Sequence, residues 1–159
     1  YSRFPNVKVT GVDLSKEMLQ RLYEKHKDKH PVLVCEDYFS CDLGKERFDA
    51  VVAFETLHHF KAEKKEKLFR KIYDSLKPGG IFLECDYIAV SQAIEDLAFS
   101  ECRRRRIRDG IEEDAFVHFD TPLTLEHELD AIRKGGFKTV ELVGFLPGDH
   151  HTAMIKAIK

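Results

Sequence analysis

Short apolar runs alternate with amphipathic helical segments along most of this chain. Residues 32–35, 48–54 and 81–85 are apolar apart from one acidic residue in each of the last two runs, and Val7 to Val12 is rich in β-branched residues. Runs of this kind are typical of strands that are buried on both faces in a parallel sheet. The alternation predicts an α/β fold of Rossmann-like layout, with a mostly parallel sheet and helices on both faces.

Capping and stop signals set the order of the predicted elements. Ser15 and Thr124 are suited to cap helices, and the segment 77–80 (Lys-Pro-Gly-Gly) ends the helix before it. The predicted order is β-α-β-β-α-β-α-α-β-β. The last two strands, Phe137–Phe145 and Thr152–Ile158, have only residues 146–151 between them, so we expect them to pair as an antiparallel hairpin.

Helical spacing predicts which side chains of three helices face the core. The inward residues of the first helix are mostly apolar, and those of the third belong to a largely polar segment from about Val90 to Arg108. The predicted inward sets are Met18, Leu19, Leu22, Tyr23 and His26 in the first helix, Leu68, Phe69, Ile72, Tyr73 and Leu76 in the second, and Ile94, Leu97 and Cys102 in the third.

Composition is that of one globular domain over residues 1–159, with 43% hydrophobic and 34% charged residues. The formal net charge of −2 provides no overall field that would attract nucleic acid. We therefore expect a small-molecule partner, while a modified tRNA nucleotide stays open. The sequence does not indicate an oligomeric state.

The cysteines and the hydropathy of the chain indicate a cytoplasmic protein without a membrane span. Cys35, Cys41, Cys85 and Cys102 form no C-x-x-C pair, which favours free thiols in a reducing compartment. No apolar run approaches the ~20 residues that cross a bilayer.

Three segments together carry a resemblance to a known family. They are V-T-G-V-D-L-S-K-E-M-L at residues 9–19, F-D-A-V-V-A-F-E-T-L-H-H-F at 48–60 and L-K-P-G-G-I-F-L-E at 76–84. In this order and spacing they resemble the class I S-adenosylmethionine-dependent methyltransferases. The resemblance implies S-adenosylmethionine as cofactor and transfer of its methyl group to an oxygen or nitrogen of a small molecule.

The same resemblance implies a seven-stranded sheet whose last strand lies antiparallel between the fifth and sixth. The strand that ends at Asp13 corresponds to the family's second strand, so the first strand, its glycine-rich loop and the following helix would precede Tyr1. Because that strand lies in the middle of the family's sheet, we expect two unpaired strand edges in this chain.

A cofactor-binding set also follows from the resemblance. In the family, Asp13 would bind the ribose hydroxyls, Met18 would pack on the adenine, and Asp37 with Tyr38 would bind the edge of that base. The position of Asp13 at the end of a strand suits ligand binding, and an ordinary turn residue is the alternative. For Met18 the alternative is a core residue, and Glu36 could take the place of Asp37. The implied set is Asp13, Leu14, Met18, Asp37, Tyr38, Phe54 and Glu55.

His58, His59 and Asp86 are the candidates for a catalytic base. If the acceptor is a hydroxyl or a protonated amine, one of them could take its proton, since imidazole titrates near neutral pH. We expect no metal at the two histidines, because neighbours in sequence rarely point at one ion and no carboxylate follows them at helical spacing.

Two other functions compete with methyl transfer. An NAD-dependent Rossmann oxidoreductase also places an acidic residue after its second strand, although the hairpin and the segment 77–80 count against it. A methyltransferase-like subunit without catalysis would serve as a binding partner.

The segment from Val90 to Phe119 is expected to face the substrate, and Arg103 to Arg106 within it are expected to form a solvated helix face.

Overall fold

The computed structural model describes residues 1–113 and 115–159. Its helices and strands follow one another in the predicted order, which confirms the predicted fold class. They are β1 (Thr10–Val12), α1 (Lys16–His26), β2 (Val32–Val34), β3 (Phe48–Phe54), α2 (Ala62–Ser75), β4 (Leu76–Tyr87), α3 (Gln92–Asp109), α4 (Leu125–Lys134), β5 (Thr139–Phe145) and β6 (Thr152–Ile158), with one 3-10 turn at Lys27–Lys29.

The described residues divide into two compact units, Tyr1–Asp42 and Leu43–Lys159. Each unit has its own sheet, of two strands in the order β1-β2 and of four strands in the order β3-β4-β6-β5. Strand β1 pairs with β2 in the first unit, and β3 pairs with β4 in the second.

In the first unit, helix α1 packs on a parallel strand pair. Thr10 lies opposite Val32 in the register of β1 and β2. Helix α1 lies close to β1 at Gly11, which has no side chain. A Cβ at this position would lie 2.9 Å from Leu22 Cδ2 and 3.7 Å from Leu19 Cδ2. The two leucines therefore use the space that a side chain on β1 would fill.

In the second unit, β6 lies between β4 and β5 and is antiparallel to both, whereas β3 and β4 are parallel. The predicted hairpin and the predicted position of the last strand are both confirmed. Strand β4 begins at Leu76, earlier than predicted, because Leu76 pairs with Phe48 before the register shifts at the Lys-Pro-Gly-Gly segment. Gly79 has a φ of 77°, a conformation that glycine adopts without strain.

Helices α2 and α4 contact each other and cover one face of the four-stranded sheet. The rings of Phe69 on α2 and Phe82 on β4 lie 5.6 Å apart, and Phe137 stacks on Phe82 at 5.9 Å. On the opposite face, Val52 and Leu83 are exposed. Four of the five predicted inward residues of α2, Leu68, Phe69, Ile72 and Leu76, are buried. The fifth, Tyr73, is half-buried, with its ring 5.2 Å from that of Phe137.

The predicted inward faces of α1 and α3 are partly wrong. On α1, Leu19 is buried, whereas Met18 and Tyr23 are exposed. On α3, Ile94 and Leu97 are exposed and the buried residue is Glu95, a carboxylate. Glu95 accepts a hydrogen bond from Thr124 N and contacts His127 Nδ1, so a buried carboxylate links α3 to the start of α4, while Cys102 is half-buried.

Within the part of the chain that the structure describes, no disulfide bond joins Cys35, Cys41, Cys85 or Cys102. Within residues 1–113 and 115–159, no helix is both long enough and apolar enough to cross a membrane.

Candidate active site

Asp13 lies directly after β1, at the carboxyl end of the first unit's sheet. Its backbone N–H donates to Val34 O at 3.1 Å, and its Oδ1 accepts a hydrogen bond from Ser15 N at 2.8 Å. The carboxylate thus takes part in the turn that begins α1, as its position in the sequence suggests. Among the described residues, Oδ2 of Asp13 accepts no hydrogen bond, so one oxygen remains available to a ligand.

Asp37 occupies an equivalent turn after β2. Its Oδ1 accepts from Phe39 N at 2.8 Å, and its side chain is half-buried while that of Glu36 is exposed. Because β1 and β2 are parallel and in register, Asp13 and Asp37 follow the same edge of the two-stranded sheet. Tyr38 comes next, and its ring lies 5.0 Å from that of Phe39 with a tilt of 45° between the two planes.

Two apolar side chains of the predicted cofactor set are exposed near this edge. Met18 is 54% exposed and Leu14 is 64% exposed, although both are large and apolar. The interpretation of Met18 as a core residue is therefore wrong. An exposed methionine one turn into α1 is available to contact a ligand.

In the second unit, the chain turns sharply where β3 ends. Phe54 is exposed, and Glu55 has a φ of 46°, which is uncommon for a residue other than glycine. Glu55 N donates to Cys85 O at 2.8 Å, so the turn is anchored to β4. Residues with such uncommon backbone angles are frequent at functional sites, where the surrounding structure holds them in place.

Asp86, near the end of β4, accepts hydrogen bonds from backbone amides of this turn and from the histidine that follows it. Its Oδ2 accepts from Thr56 N at 3.1 Å and from Leu57 N at 2.6 Å, while its Oδ1 accepts from Tyr87 N at 2.8 Å and lies 2.5 Å from His58 Nδ1. The residue is only 3% exposed. Asp86 therefore orients His58 and the turn, and it has no face open to a substrate.

The hydrogen bond to Asp86 selects the tautomer of His58. An ionised carboxylate can only accept, so Nδ1 of His58 carries a proton, and in the neutral ring Nε2 presents the lone pair. The ring also contacts Tyr87, with 4.6 Å between centroids. Although burial acts to raise the pKa of Asp86, the hydrogen bond and charge of His58 and the Leu57 N–H hold that pKa below its usual value.

His59 lies against His58, with ring centroids 4.0 Å apart. Burial and, next, the neighbouring His58 lower the pKa of His59, so its ring is neutral at pH 7. Its Nδ1 lies 3.3 Å from Phe119 O and 3.3 Å from Asp120 Oδ1. His58 Nε2 lies 3.5 Å from the same Asp120 oxygen.

Asp120 is a site residue that the sequence analysis missed. It is far from the histidines in the chain, and it follows a segment without helical or strand periodicity, so no local pattern marks it. Two hydrogen bonds from the buried Thr121 hold this segment to His58 O, from the backbone N at 2.8 Å and from Oγ1 at 3.4 Å. Tertiary contacts alone place the carboxylate beside the two imidazoles.

The arginines of α3 support the same segment instead of forming only a solvated face. Arg106 donates to the carbonyl oxygens of Glu112 at 2.6 Å and Ala115 at 2.8 Å, and the Arg105 guanidinium lies 5.4 Å from the centre of the Phe119 ring. Arg103 and Arg104 are exposed. Asp114, within the segment expected to face the substrate, lies outside the described residues.

Residues 1–80 match the family model of the methyltransferase domain, which covers just over half of the 159 residues. The chain belongs to this methyltransferase family. The matched residues include Asp13, Asp37, Phe54 and the two histidines.

Curated relatives of this methyltransferase chain are similar over most of its length. A carboxy-S-adenosyl-L-methionine synthase of Nautilia profundicola is 26% identical over 153 residues, which cover 87% of this chain and 62% of the relative. A phosphoethanolamine N-methyltransferase of Plasmodium falciparum is 25% identical over 131 residues, which cover 82% of this chain and 45% of the relative. The chain thus spans less than two thirds of either relative.

Among solved structures, human N-acetylserotonin methyltransferase in complex with S-adenosylmethionine has the same fold. Its TM-score to this methyltransferase chain is 0.66 at 20% identity, with 99% of this chain and 42% of the human chain covered. The fold that the sequence resemblance implied is thereby confirmed.

Proposed function

We propose that this protein is an S-adenosylmethionine-dependent methyltransferase that acts on an oxygen or nitrogen of a small molecule. Membership of the methyltransferase family supports the reaction type. The name of the Plasmodium relative, phosphoethanolamine N-methyltransferase, describes transfer to nitrogen of a small molecule. The observation that carries the proposal is the carboxylate of Asp13 at the end of β1, with one oxygen used by the turn and one left for a ligand.

The carboxylates of the first unit suit a nucleoside. Vicinal ribose hydroxyls donate two hydrogen bonds, and an ionised carboxylate accepts both more strongly than a neutral group does. Asp37 at the same sheet edge suits the amino group of an adenine, and the exposed Met18 side chain suits its ring. In this proposal Leu14 and Tyr38 complete the nucleoside contacts of the first unit.

The base in this proposal is His58, with Asp86 as its positioning residue. S-adenosylmethionine, when bound, supplies the methyl group and a sulfur leaving group. The chain's own task is to orient the acceptor and to remove its proton. Nε2 of His58 is suited to take that proton because the hydrogen bond to Asp86 keeps the protonated nitrogen on the other side of the ring.

Calorimetry with the intact protein tests the nucleoside proposal. We expect S-adenosylmethionine and S-adenosylhomocysteine to bind and NAD not to bind. The variant Asp13→Asn keeps an oxygen for Ser15 N but loses the charge, so we expect unchanged stability and affinity lower by roughly 1.5–3 kcal/mol, about 10- to 150-fold. Asp28→Asn, an exposed carboxylate of the same unit, is the matched control. Equal affinity of wild type and Asp13→Asn would reject the role of Asp13, and binding of NAD alone would reject the methyl donor.

A second candidate follows from the similarity to carboxy-S-adenosyl-L-methionine synthase, which covers 87% of this chain. In that case the protein would produce a carboxylated nucleoside. Mass spectrometry of the nucleoside product separates the two functions, because methyl transfer leaves S-adenosylhomocysteine. A catalytically inactive subunit would yield neither product.

A further inference from the structure

Three side chains of the second unit bring metal-ligand atoms together. His58 Nε2, His59 Nδ1 and Asp120 Oδ1 all lie within 4.8 Å of one another. The Asp120 oxygen is 3.5 Å from the first nitrogen and 3.3 Å from the second. In a tetrahedral zinc site with bonds of about 2.0–2.1 Å, ligand atoms are separated by roughly 3.4 Å. The two distances to the carboxylate therefore match the spacing that such an ion requires.

Adjacent histidines can share an ion here because they present different nitrogens. The rings lie 4.0 Å apart and are tilted by 60°. His58 offers Nε2 and His59 offers Nδ1, and these two nitrogens lie at different distances from the backbone. Both can therefore approach one ion although the two residues are neighbours in the chain. The expectation of no metal rested on the lack of a nearby carboxylate in the sequence, and the fold supplies one in Asp120.

Contacts behind the ligand atoms hold them in position. Asp86 accepts a hydrogen bond from His58 Nδ1, the carboxylate–histidine pairing that orients ligands in many metal sites. The backbone of Thr121 is bound to His58 O, which places Asp120 next to the rings. These contacts exist before any ion binds, so little ordering of side chains would be needed on binding.

The three ligands leave one side open. The side chains of His58 and His59 are 6% and 8% exposed, whereas that of Asp120 is 60% exposed. An ion would approach past the carboxylate and keep a free coordination position there. Binding requires the lone pair of His59 Nδ1, so its contact with Phe119 O would be given up and the ring proton would move to Nε2.

We propose that His58, His59 and Asp120 form a binding site for one divalent ion of the zinc type. Two imidazoles and one carboxylate are a donor set suited to such borderline ions and poorly suited to Mg²⁺ or Ca²⁺, which prefer oxygen ligands. The site does not depend on methyl transfer, and it concerns ion binding by the second unit's own residues.

The test uses the intact protein after treatment with a chelator and dialysis. Titration with Zn²⁺ by calorimetry is expected to give one ion per chain, and Co²⁺ is expected to give visible d–d absorption that Zn²⁺ abolishes. Asp120→Ala and His59→Ala each remove a ligand, so we expect Zn²⁺ affinity to fall by at least the roughly 10- to 100-fold that loss of an outer-shell partner causes.

His127→Ala is the matched control. His127 also pairs with a carboxylate, Glu95, at 2.8 Å, but it is not part of the three-ligand group, and we expect unchanged Zn²⁺ affinity. Absence of a one-to-one Zn²⁺ complex in the wild type, or wild-type affinity in both Asp120→Ala and His59→Ala, would overturn the proposal. Nucleoside binding is measured separately with S-adenosylmethionine, so a failure of this site and a failure of the proposed function give different results.

Discussion

Among single residues, Asp86 connects the largest number of parts of the candidate site. One buried carboxylate accepts from two amides of the turn after β3, from its own neighbour Tyr87 and from the His58 ring. A buried donor without a partner costs free energy of folding, so the carboxylate of Asp86 stabilises the structure in addition to any role in catalysis.

Replacement of Asp86 by asparagine tests this structural task. Asn has one acceptor oxygen, so some of the buried donors lose their partner, and we expect the free energy of unfolding at pH 7 to fall by about 1–3 kcal/mol. Urea denaturation measures this difference. Asp96→Asn, an exposed carboxylate that accepts from Gln92, should change stability by no more than about 0.5 kcal/mol.

The stability that Asp86 contributes depends on pH with a defined sign. The pKa of Asp86 is lowered in the folded protein, so its stabilising contribution is complete above the unfolded pKa of about 3.9 and is lost as pH falls further. The stability difference between wild type and Asp86→Asn should therefore shrink below about pH 4. A difference that stays constant to about pH 3 would contradict the lowered pKa.

At the scale of elements, a buried charge cluster joins α2, β4 and α4. Lys65 on α2 and Glu128 on α4 form an ion pair at 2.5 Å, and both are almost fully buried. Glu84 on β4 lies beside them, and neither of its carboxyl oxygens has a hydrogen-bond partner among the described residues. Although burial acts to lower the pKa of Lys65, the charge of Glu128 raises it above its usual value, so the lysine stays charged.

Glu84 is the member of this cluster whose surroundings favour the protonated form. Burial in the first place, and next the charge of Glu128, raise its pKa well above the usual value. A protonated Glu84 can donate to Glu128 Oε1, which also lacks a partner among the described residues. One proton would thus satisfy two otherwise unpaired oxygens, and the cluster would hold one positive and one negative charge.

The variant Glu84→Gln mimics the protonated side chain. Because the folded pKa is raised, the contribution of Glu84 to stability is present below the unfolded pKa of about 4.3 and is lost as pH rises toward the folded pKa. We therefore expect the variant to gain stability relative to the wild type as pH rises from about 4 to 7, as measured by urea denaturation.

Glu128→Gln is the contrasting variant. It leaves the Lys65 charge without its ion-pair partner, and breaking a buried pair in this way costs about 3–5 kcal/mol. If Glu84→Gln were as destabilising as Glu128→Gln at pH 7, the assignment of the proton to Glu84 would be wrong.

At the scale of the whole molecule, the two proposals use the same nitrogen. Nε2 of His58 takes the acceptor's proton in the proposed reaction and binds the ion in the proposed metal site. A lone pair cannot do both at once, so methyl transfer by this base requires the ion-free form.

This exclusion predicts the behaviour of the intact protein in an assay of S-adenosylhomocysteine formation. We expect His58→Gln to lower kcat by about 10²–10⁴-fold without weakening S-adenosylmethionine binding, because it removes the base alone. Saturating Zn²⁺ should lower kcat of the wild type in the same way and should have little effect on Asp120→Ala. Unchanged turnover in His58→Gln would remove His58 as the base. Undiminished turnover of Zn²⁺-saturated wild type would show that the base and the ion do not share this nitrogen.

The order of the elements, the terminal hairpin and the residues at the strand ends could be predicted from the sequence. Apolar runs and capping residues are local signals, and backbone geometry converts them directly into strands and helices. Asp13, Asp37 and Asp86 were found for the same reason, since each follows or ends a recognisable strand.

Side-chain environment depended on the tertiary structure. Helical spacing identified Met18 and Ile94 as inward, yet both are exposed, because a periodic pattern defines a face without saying what that face packs against. Likewise, Asp120 reaches the histidines through the Thr121 backbone and not through any spacing in the chain. Local sequence signals alone determined the helices and strands of this protein and the carboxylates at their ends. Which polar groups meet was decided by the tertiary structure, because such meetings depend on contacts between segments that are distant in sequence.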